Sequence, residues 1–318
     1  MSIENQLKAE FQRYSDQLQY PRQLDDRIAL LTRKGTAARR GIITRIALIA
    51  ACIFLFSGIA YASNLLYTMQ SHRVSVEVFS DAQAQLPDSL NAEIRSSFQQ
   101  IRDQLTPGES AIMYVSELDK RKLPALIKVT QPVRYTDPEE CAAIAGGLLK
   151  KPAVLPQDYV LAWGEKEASS GMIDAHTYTR YKSLLEKQAA DTKQNVVWQR
   201  AAQSVSASEA VMSRPGLIYV NSNQDRIEIR FQVMPTSNSQ VGLKISTGTS
   251  TTAEKIDLSG KTGFYTRNNS TFLSDTGKLD TISWVEELSD GQTALYEVST
   301  SSSNVSKAEL LLIADHMK

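Results

Sequence analysis

Between Ile46 and Leu66 the chain reads IALIAACIFLFSGIAYASNLL, 21 residues without a charge. At about 1.5 Å per helical residue such a run spans about 31 Å, close to the roughly 30 Å hydrocarbon core of a bilayer. Core helices of water-soluble folds seldom run this long without a charged side chain, so the run predicts one transmembrane helix, residues 42–67 with its flanks, rather than a core helix. Tyr61 and Tyr67, near the outer end, suit the headgroup boundary.

Lysine and arginine set the orientation. Residues 1–45 hold Lys8, Arg13, Arg22, Arg27, Arg33, Lys34, Arg39, Arg40 and Arg45, whereas Arg73 is the only lysine or arginine between Tyr67 and Asp81. The positive-inside rule then leaves the N-terminus in the cytoplasm and the rest of the chain outside the cell membrane. With five acids against those nine bases the first 45 residues carry +4, and the remainder, with 26 bases and 30 acids, carries −4, so a net charge of zero conceals an asymmetry. That balance, without a long basic run, excludes a general phosphate-binding surface and a nucleic-acid partner. A competing reading is a cleaved secretory signal, because Ala60-Tyr61-Ala62 resembles an A-x-A site; a 45-residue region ahead of the apolar run argues against it. A hydrophobic content of 42% is ordinary for a globular chain and excludes a polytopic transporter or a wholly disordered protein.

Of two cysteines, Cys52 lies in the apolar span and Cys141 beyond it, so the outer region has no internal disulfide to lean on. Cys141, within CAAIA, reads as a buried inert thiol. The tail, residues 1–41, holds two short helical patterns broken at Tyr20-Pro21. In the second, Leu24, Ile28 and Leu31 form one apolar edge that about 40 residues cannot bury, so the edge expects the membrane surface or a partner.

Outside the membrane, residues 68–151 predict an α+β part. Val74–Phe79 alternates as a strand, and Leu90, Ile94, Phe98, Ile101 and Leu105 recur at helical spacing up to a stop at Pro107-Gly108. AIMYVSEL and ALIKVTQPV read as strands joined by the turn DKRK. Asp137-Pro138-Glu139-Glu140 reads as the capped start of a helix running through Leu149. Pro152–Pro156 is the expected boundary with a C-terminal domain, residues 152–318. There HTYTRYKSLLEKQAA reads as a helix, and DRIEIRFQVMP puts Ile227, Ile229, Phe231 and Val233 on one face and Glu228, Arg230 and Gln232 on the other. GLKISTG, AEKIDLSG, TGFYTRNN, TISWVEEL and TALYEVST continue a strand run, and Ser306-Lys307-Ala308-Glu309 is a capping box ahead of LLLIADHM. The fold class is therefore α+β: a twisted antiparallel sheet with packed helices, preceded by one transmembrane helix.

A resemblance follows from these residues. Tyr159 after the proline-rich break, then Trp284, Gly291, Tyr296, Glu309, Leu310 and Ala314 in ISWVEELSDGQTALYEVSTSSSNVSKAELLLIADHM, resemble the C-terminal extracytoplasmic domain of unknown function found in many Gram-positive bacterial membrane proteins. That domain is similar in layout to the curved half-barrels of periplasmic lipoprotein carriers and of a regulator that binds an anti-sigma factor. The tail YPRQLDDRIALLTRKG followed by one span looks like the short tails of anti-sigma-type proteins. The resemblance implies a half-barrel-like sheet, an envelope sensor and a cytoplasmic sigma factor held by Leu24, Ile28 and Leu31. The tail has neither His nor Cys, which departs from the zinc-type pattern, so no zinc clamp carries over.

Catalytic patterns are missing from the sequence. His72, His176 and His316 lack metal-site spacing, and there is no G-x-S-x-G, P-loop or G-x-G-x-x-G. Glu139-Glu140 and Glu286-Glu287 are adjacent pairs that do not face one another. The expectation is a non-enzymatic chain without metal or cofactor. Trp163, Trp198, Trp284 and Tyr296 either line a cavity for a lipid or peptide under the curved sheet or fill the core.

Overall fold

The computed structural model describes residues 64–71, 74–144, 150–156, 158–171, 173, 175–201, 214–234, 241–288 and 291–318. Leu24, Ile28, Leu31 and the tail lie outside the described residues, as does the predicted span up to residue 63. At its outer end the prediction is corrected: Asn64–Tyr67 belong to strand β1 (Asn64–Gln70), which pairs antiparallel with β2 (Val74–Ser80). Leu65 and Leu66 thus belong to a sheet, and Tyr67 stacks on Phe264 with ring centres 4.2 Å apart. Among the described residues no helix is long and apolar enough to cross a membrane.

Helix α1 (Asp88–Asp103) turns Leu90, Ile94, Phe98 and Ile101 inward, as their spacing dictates. Strand β3 (Ser110–Val115) follows, but Ser116–Lys120 closes into a short helix, α2, where the sequence predicted continued strand and a turn. The Asn195 side chain accepts the Glu117 N–H at 3.0 Å and the Ser116 hydroxyl at 2.8 Å, satisfying donors that a lone helix start leaves open. Next come β4 (Leu126–Thr130), β5 (Arg134–Tyr135) and α3 (Pro138–Ala143), whose first amides bond the Asp137 carboxylate. Strands β6 (Val160–Glu165) and β7 (Ser170–Gly171), helix α4 (Ala175–Thr192), and strands β8 (Val196–Arg200), β9 (Gly216–Val220), β10 (Arg226–Met234), β11 (Val241–Thr247), β12 (Thr251–Leu258), β13 (Lys261–Asn268), β14 (Leu279–Glu287) and β15 (Thr293–Thr300) precede α5 (Lys307–Asp315).

These strands sort into three open sheets, ordered β1-β2-β11, β7-β4-β3-β8 and β12-β13-β14-β15-β10-β9-β6-β5. The eight-stranded sheet is antiparallel throughout, and the architecture is α+β. Pro152–Pro156 is not a domain boundary: β5 pairs with β6 across it, and β3 and β4 pair with β8 and β7. The prolines end a local segment, but partner choice is made by distant strands. GLKISTG likewise leaves the expected antiparallel run: β11 pairs parallel with β2, nearly 170 residues earlier, in another sheet.

One face of the eight-stranded sheet carries α3 and α5 over a core that includes Ile227, Ile229, Phe231, Ile282, Trp284, Tyr296, Val298, Leu310 and Ile313. At one end of its other face the three-stranded sheet packs Met69, Val76 and Val78 against Phe264, Leu295 and Met234. In the four-stranded sheet every side chain of β3 from Ala111 to Val115 is buried, because a helix covers each face. Arg200, on the Met113 face, bonds the Gln104 carbonyl at the end of α1, while Lys182 of α4 sits over the Tyr114 ring on the opposite face.

Candidate functional site

The four aromatic residues singled out from the sequence do not share a cavity. Trp284 and Tyr296 are directly opposite on β14 and β15, stack at 5.4 Å and are both 1% exposed, so they fill the core under α5. This corrects their reading as cavity lining: cross-strand aromatic pairs on the face that a helix covers are packing residues. The Trp284 indole donates to Glu286 Oε1 at 2.7 Å, and Glu286 also accepts from Lys150 at 2.7 Å and Lys261 at 3.0 Å. Burial alone would raise the Glu286 carboxyl; these three donors hold it below the usual carboxylate range.

Trp163 lies on the opposite face of the same sheet. Its indole donates to Glu165 Oε1 at 2.9 Å, and the guanidiniums of Arg134 and Arg226 lie 4.3 and 5.5 Å from its ring centre. Around it runs a charge network that sequence reasoning missed. Arg230 is 6% exposed and Glu165 2% exposed, and they meet at 2.6 Å. Arg230 also bonds Glu228 at 2.9 Å and the Arg214 carbonyl at 3.2 Å, Arg226 reaches Glu228 at 2.9 Å, and Arg214 pairs with Glu297. Burial opposes charge on Glu228, but Arg230 and Arg226 hold its carboxyl below the usual range; Arg230 in turn is held above its ordinary value by Glu228 and Glu165 despite burial. The alternation of DRIEIRFQVM placed Glu228 and Arg230 on one face, but only the pairing of Gly216 with both Arg230 and Glu165 shows which carboxylate arrives there. Each buried carboxylate already faces a guanidinium, so the network is a closed ion cluster rather than an acid and base poised across a substrate.

Cys141 is fully buried, donates to the Tyr135 carbonyl at 3.0 Å, and is pushed up from its ordinary value by burial. Among the described residues no cluster of His, Cys, Asp and Glu comes together that would hold a metal ion.

Trp198 is placed differently. It is half-buried on β8, and with Val196, Val197, Ser97, Gln100, Ile101, Gln104, Gln188 and Gln194 it lines a cleft of about 240 Å³ between α1 and α4. The lining has no formal charge. Gln104, Gln188 and Gln194 bring side-chain amides, which both donate and accept, and Trp198 an indole N–H, which donates only, to this lining. The ring came from the sequence; the glutamines, on α1, on α4 and in the turn after α4, carry no motif that could have gathered them.

No family model matches the chain, and neither a curated protein nor a solved structure is similar to it at a meaningful level.

Proposed function

We propose that the chain is a single-pass envelope sensor: a cytoplasmic tail, one membrane helix and an extracytoplasmic α+β domain that recognises a ligand without catalysis. The observation that carries the reading is the meeting of the uncharged run with the folded domain at Asn64. With β1 starting there, 18 uncharged residues remain from Ile46 to Ser63, about 27 Å of helix, and Arg45 can snorkel at the inner boundary. The nine-to-one excess of basic residues on the N-terminal side supports a cytoplasmic tail. The tail is anti-sigma-like in this proposal, with Leu24, Ile28 and Leu31 holding a cytoplasmic sigma factor. The curvature of the eight-stranded sheet toward a half-barrel belongs to the same proposal.

A fusion of alkaline phosphatase after Lys318 is expected to be active, and an inactive fusion at normal expression overturns the orientation. Residues 1–41 are expected to capture a sigma factor from the host, and Leu24→Asp with Ile28→Asp to abolish capture by charging the contact edge. If the intact tail captures none, and its deletion leaves transcription unchanged, the second reading stands: a membrane-anchored binding module. The uncharged cleft at Trp198 favours that module, because it supplies a recognition surface whether or not the tail has a partner.

A further inference from the structure

The inference concerns what enters the cleft at Trp198, and it rests on the recognition reading above. Among the described residues strand β8 is the last strand of its sheet, and its hydrogen-bonding pattern decides which backbone groups are turned away from β3. Ser116 N–H donates to the Asn195 carbonyl and Ala201 N–H to the Ser110 carbonyl, both at 2.8 Å. In the antiparallel register Tyr114↔Val197 and Ile112↔Gln199, residues 195, 197, 199 and 201 therefore turn their N–H and C=O toward β3. Val196, Trp198 and Arg200 turn theirs outward, at about 6.6 Å intervals, and among the described residues no strand pairs with them.

An open edge of this kind usually carries a lysine pointing inward, a proline or a bulge that blocks further pairing. VVWQR has no proline and no bulge, its inner residues are Val196, Val197 and Trp198, and its one charge, Arg200, is drawn back by bonds to the Gln104 carbonyl and Glu109. Val196, Val197 and Trp198 of this strand line the cleft. Its volume is below the roughly 300–1,000 Å³ of sites that engulf small molecules, which disfavours a lipid chain and suits a ligand lying along the strand.

We infer that β8 binds an extended, uncharged polypeptide segment by strand addition, with the outward N–H and C=O of Val196, Trp198 and Arg200 pairing its backbone. Alternate side chains of the segment then face Trp198, Ser97, Gln100 and Gln104 on the α1 side, and Gln188 on the α4 side. The absence of charge in the lining selects against Asp, Glu, Lys and Arg at these positions, because a charge desolvated there finds no counter-ion. Main-chain pairing supplies affinity, and the glutamine amides add selectivity for side chains that donate and accept.

The test uses the full chain in detergent and a phage-displayed pool of random heptapeptides without Asp, Glu, Lys, Arg or Pro. Arg200→Pro removes one outward N–H without touching a bond to β3, and Arg200→Ala controls for the lost side chain. Selected peptides are expected to bind the wild type and Arg200→Ala alike, to bind Arg200→Pro at least about five-fold more weakly, as one lost hydrogen bond implies, and to slow amide exchange at Val196, Trp198 and Arg200. Circular dichroism of each variant separates lost binding from lost folding, and Trp198→Phe, which keeps the backbone, gives a second measure of the same site. The idea is overturned if no peptide is enriched over folded Arg200→Pro, if selected peptides protect some other segment, if backbone N-methylation of a peptide leaves binding unchanged, or if the neutral glycan chitohexaose protects β8 while peptides do not. Self-association of the free protein that Arg200→Pro abolishes would also overturn it, by assigning the edge to a second copy. An active phosphatase fusion with no peptide binding defeats this inference alone; peptide binding with an inactive fusion defeats the topology alone.

Discussion

Gly216 shows how one missing side chain shapes the charge network. A Cβ placed there would lie 2.7 Å from Arg230 Cγ and 2.8 Å from the Ile229 carbonyl oxygen, so Arg230 crosses the sheet toward Glu165 only because position 216 is bare. Gly216→Ala is expected to destabilise the protein by about 1–3 kcal/mol through this overlap, measured by urea unfolding followed by circular dichroism; an unchanged midpoint would show that Arg230 moves aside freely. Trp284 is the opposite case, a large side chain with no space left around it. Trp284→Ala should cost about 3–5 kcal/mol, and Trp198→Ala, at the half-buried rim of the cleft, well under half of that. Equal losses would mean that Trp198 is a core residue too.

At the level of elements, β10 carries a buried apolar face and a charged face on which Arg230 is buried as well. Amphipathic strands ordinarily turn their charges to water, but here Arg230 meets Glu165 from β6 and Glu228 from its own strand. Removing one partner strands the other in a poorly solvated place. Arg230→Met alone is therefore expected to cost about 3–5 kcal/mol, whereas Arg230→Met together with Glu165→Met should recover most of it, because the pair is then replaced by apolar volume. A double variant no more stable than the single one would show that the stability resides in Glu228 and the Arg214 carbonyl instead. Helix α5 illustrates a more local logic: Ser306 and Glu309 form the reciprocal capping box that their spacing announced, and Leu310 and Ile313 then seat the helix on the sheet.

For the whole molecule, the buried groups set a pH range. Tyr114, Tyr159, Tyr219, Tyr265 and Tyr296 are each pushed up to about 12, with burial the largest cause at every one. Their folded values lie above the ordinary value of about 10, so their contribution is complete below about pH 10 and lost as pH rises toward 12. Glu228 and Glu286 are held down, so theirs is complete above about pH 4.3 and lost as pH falls through their lowered values. The buried Cys141 thiol is also pushed up, so its contribution is complete only below about pH 8.5. The unfolding free energy of the full chain in detergent should therefore be flat between about pH 4.3 and 8.5 and fall outside those limits. Tyrosinate absorbance at high pH should show a late group of phenols titrating well above 10; a single transition near 10 in the folded protein would contradict their burial.

Residue spacing alone determined what depends on neighbours along the chain. The α1 stripe from Leu90 to Ile101, the Asp137 and Ser306 caps and the alternation of β10 are all set by neighbours within about one or two turns or strand repeats. Tertiary structure decided what depends on partners far away in sequence. It assigned β11 to β2, joined strands across Pro152–Pro156, buried Arg230 against Glu165 and sent Trp284 and Tyr296 into the core while leaving Trp198 half-buried on β8, the last strand of its sheet among the described residues. The physical reason is that periodicity tells a strand which face is apolar but not which strand lies beside it. Hydrogen bonding to a neighbour is equally good for almost any sequence, so that choice is made by the packing of side chains that meet only once the chain has folded.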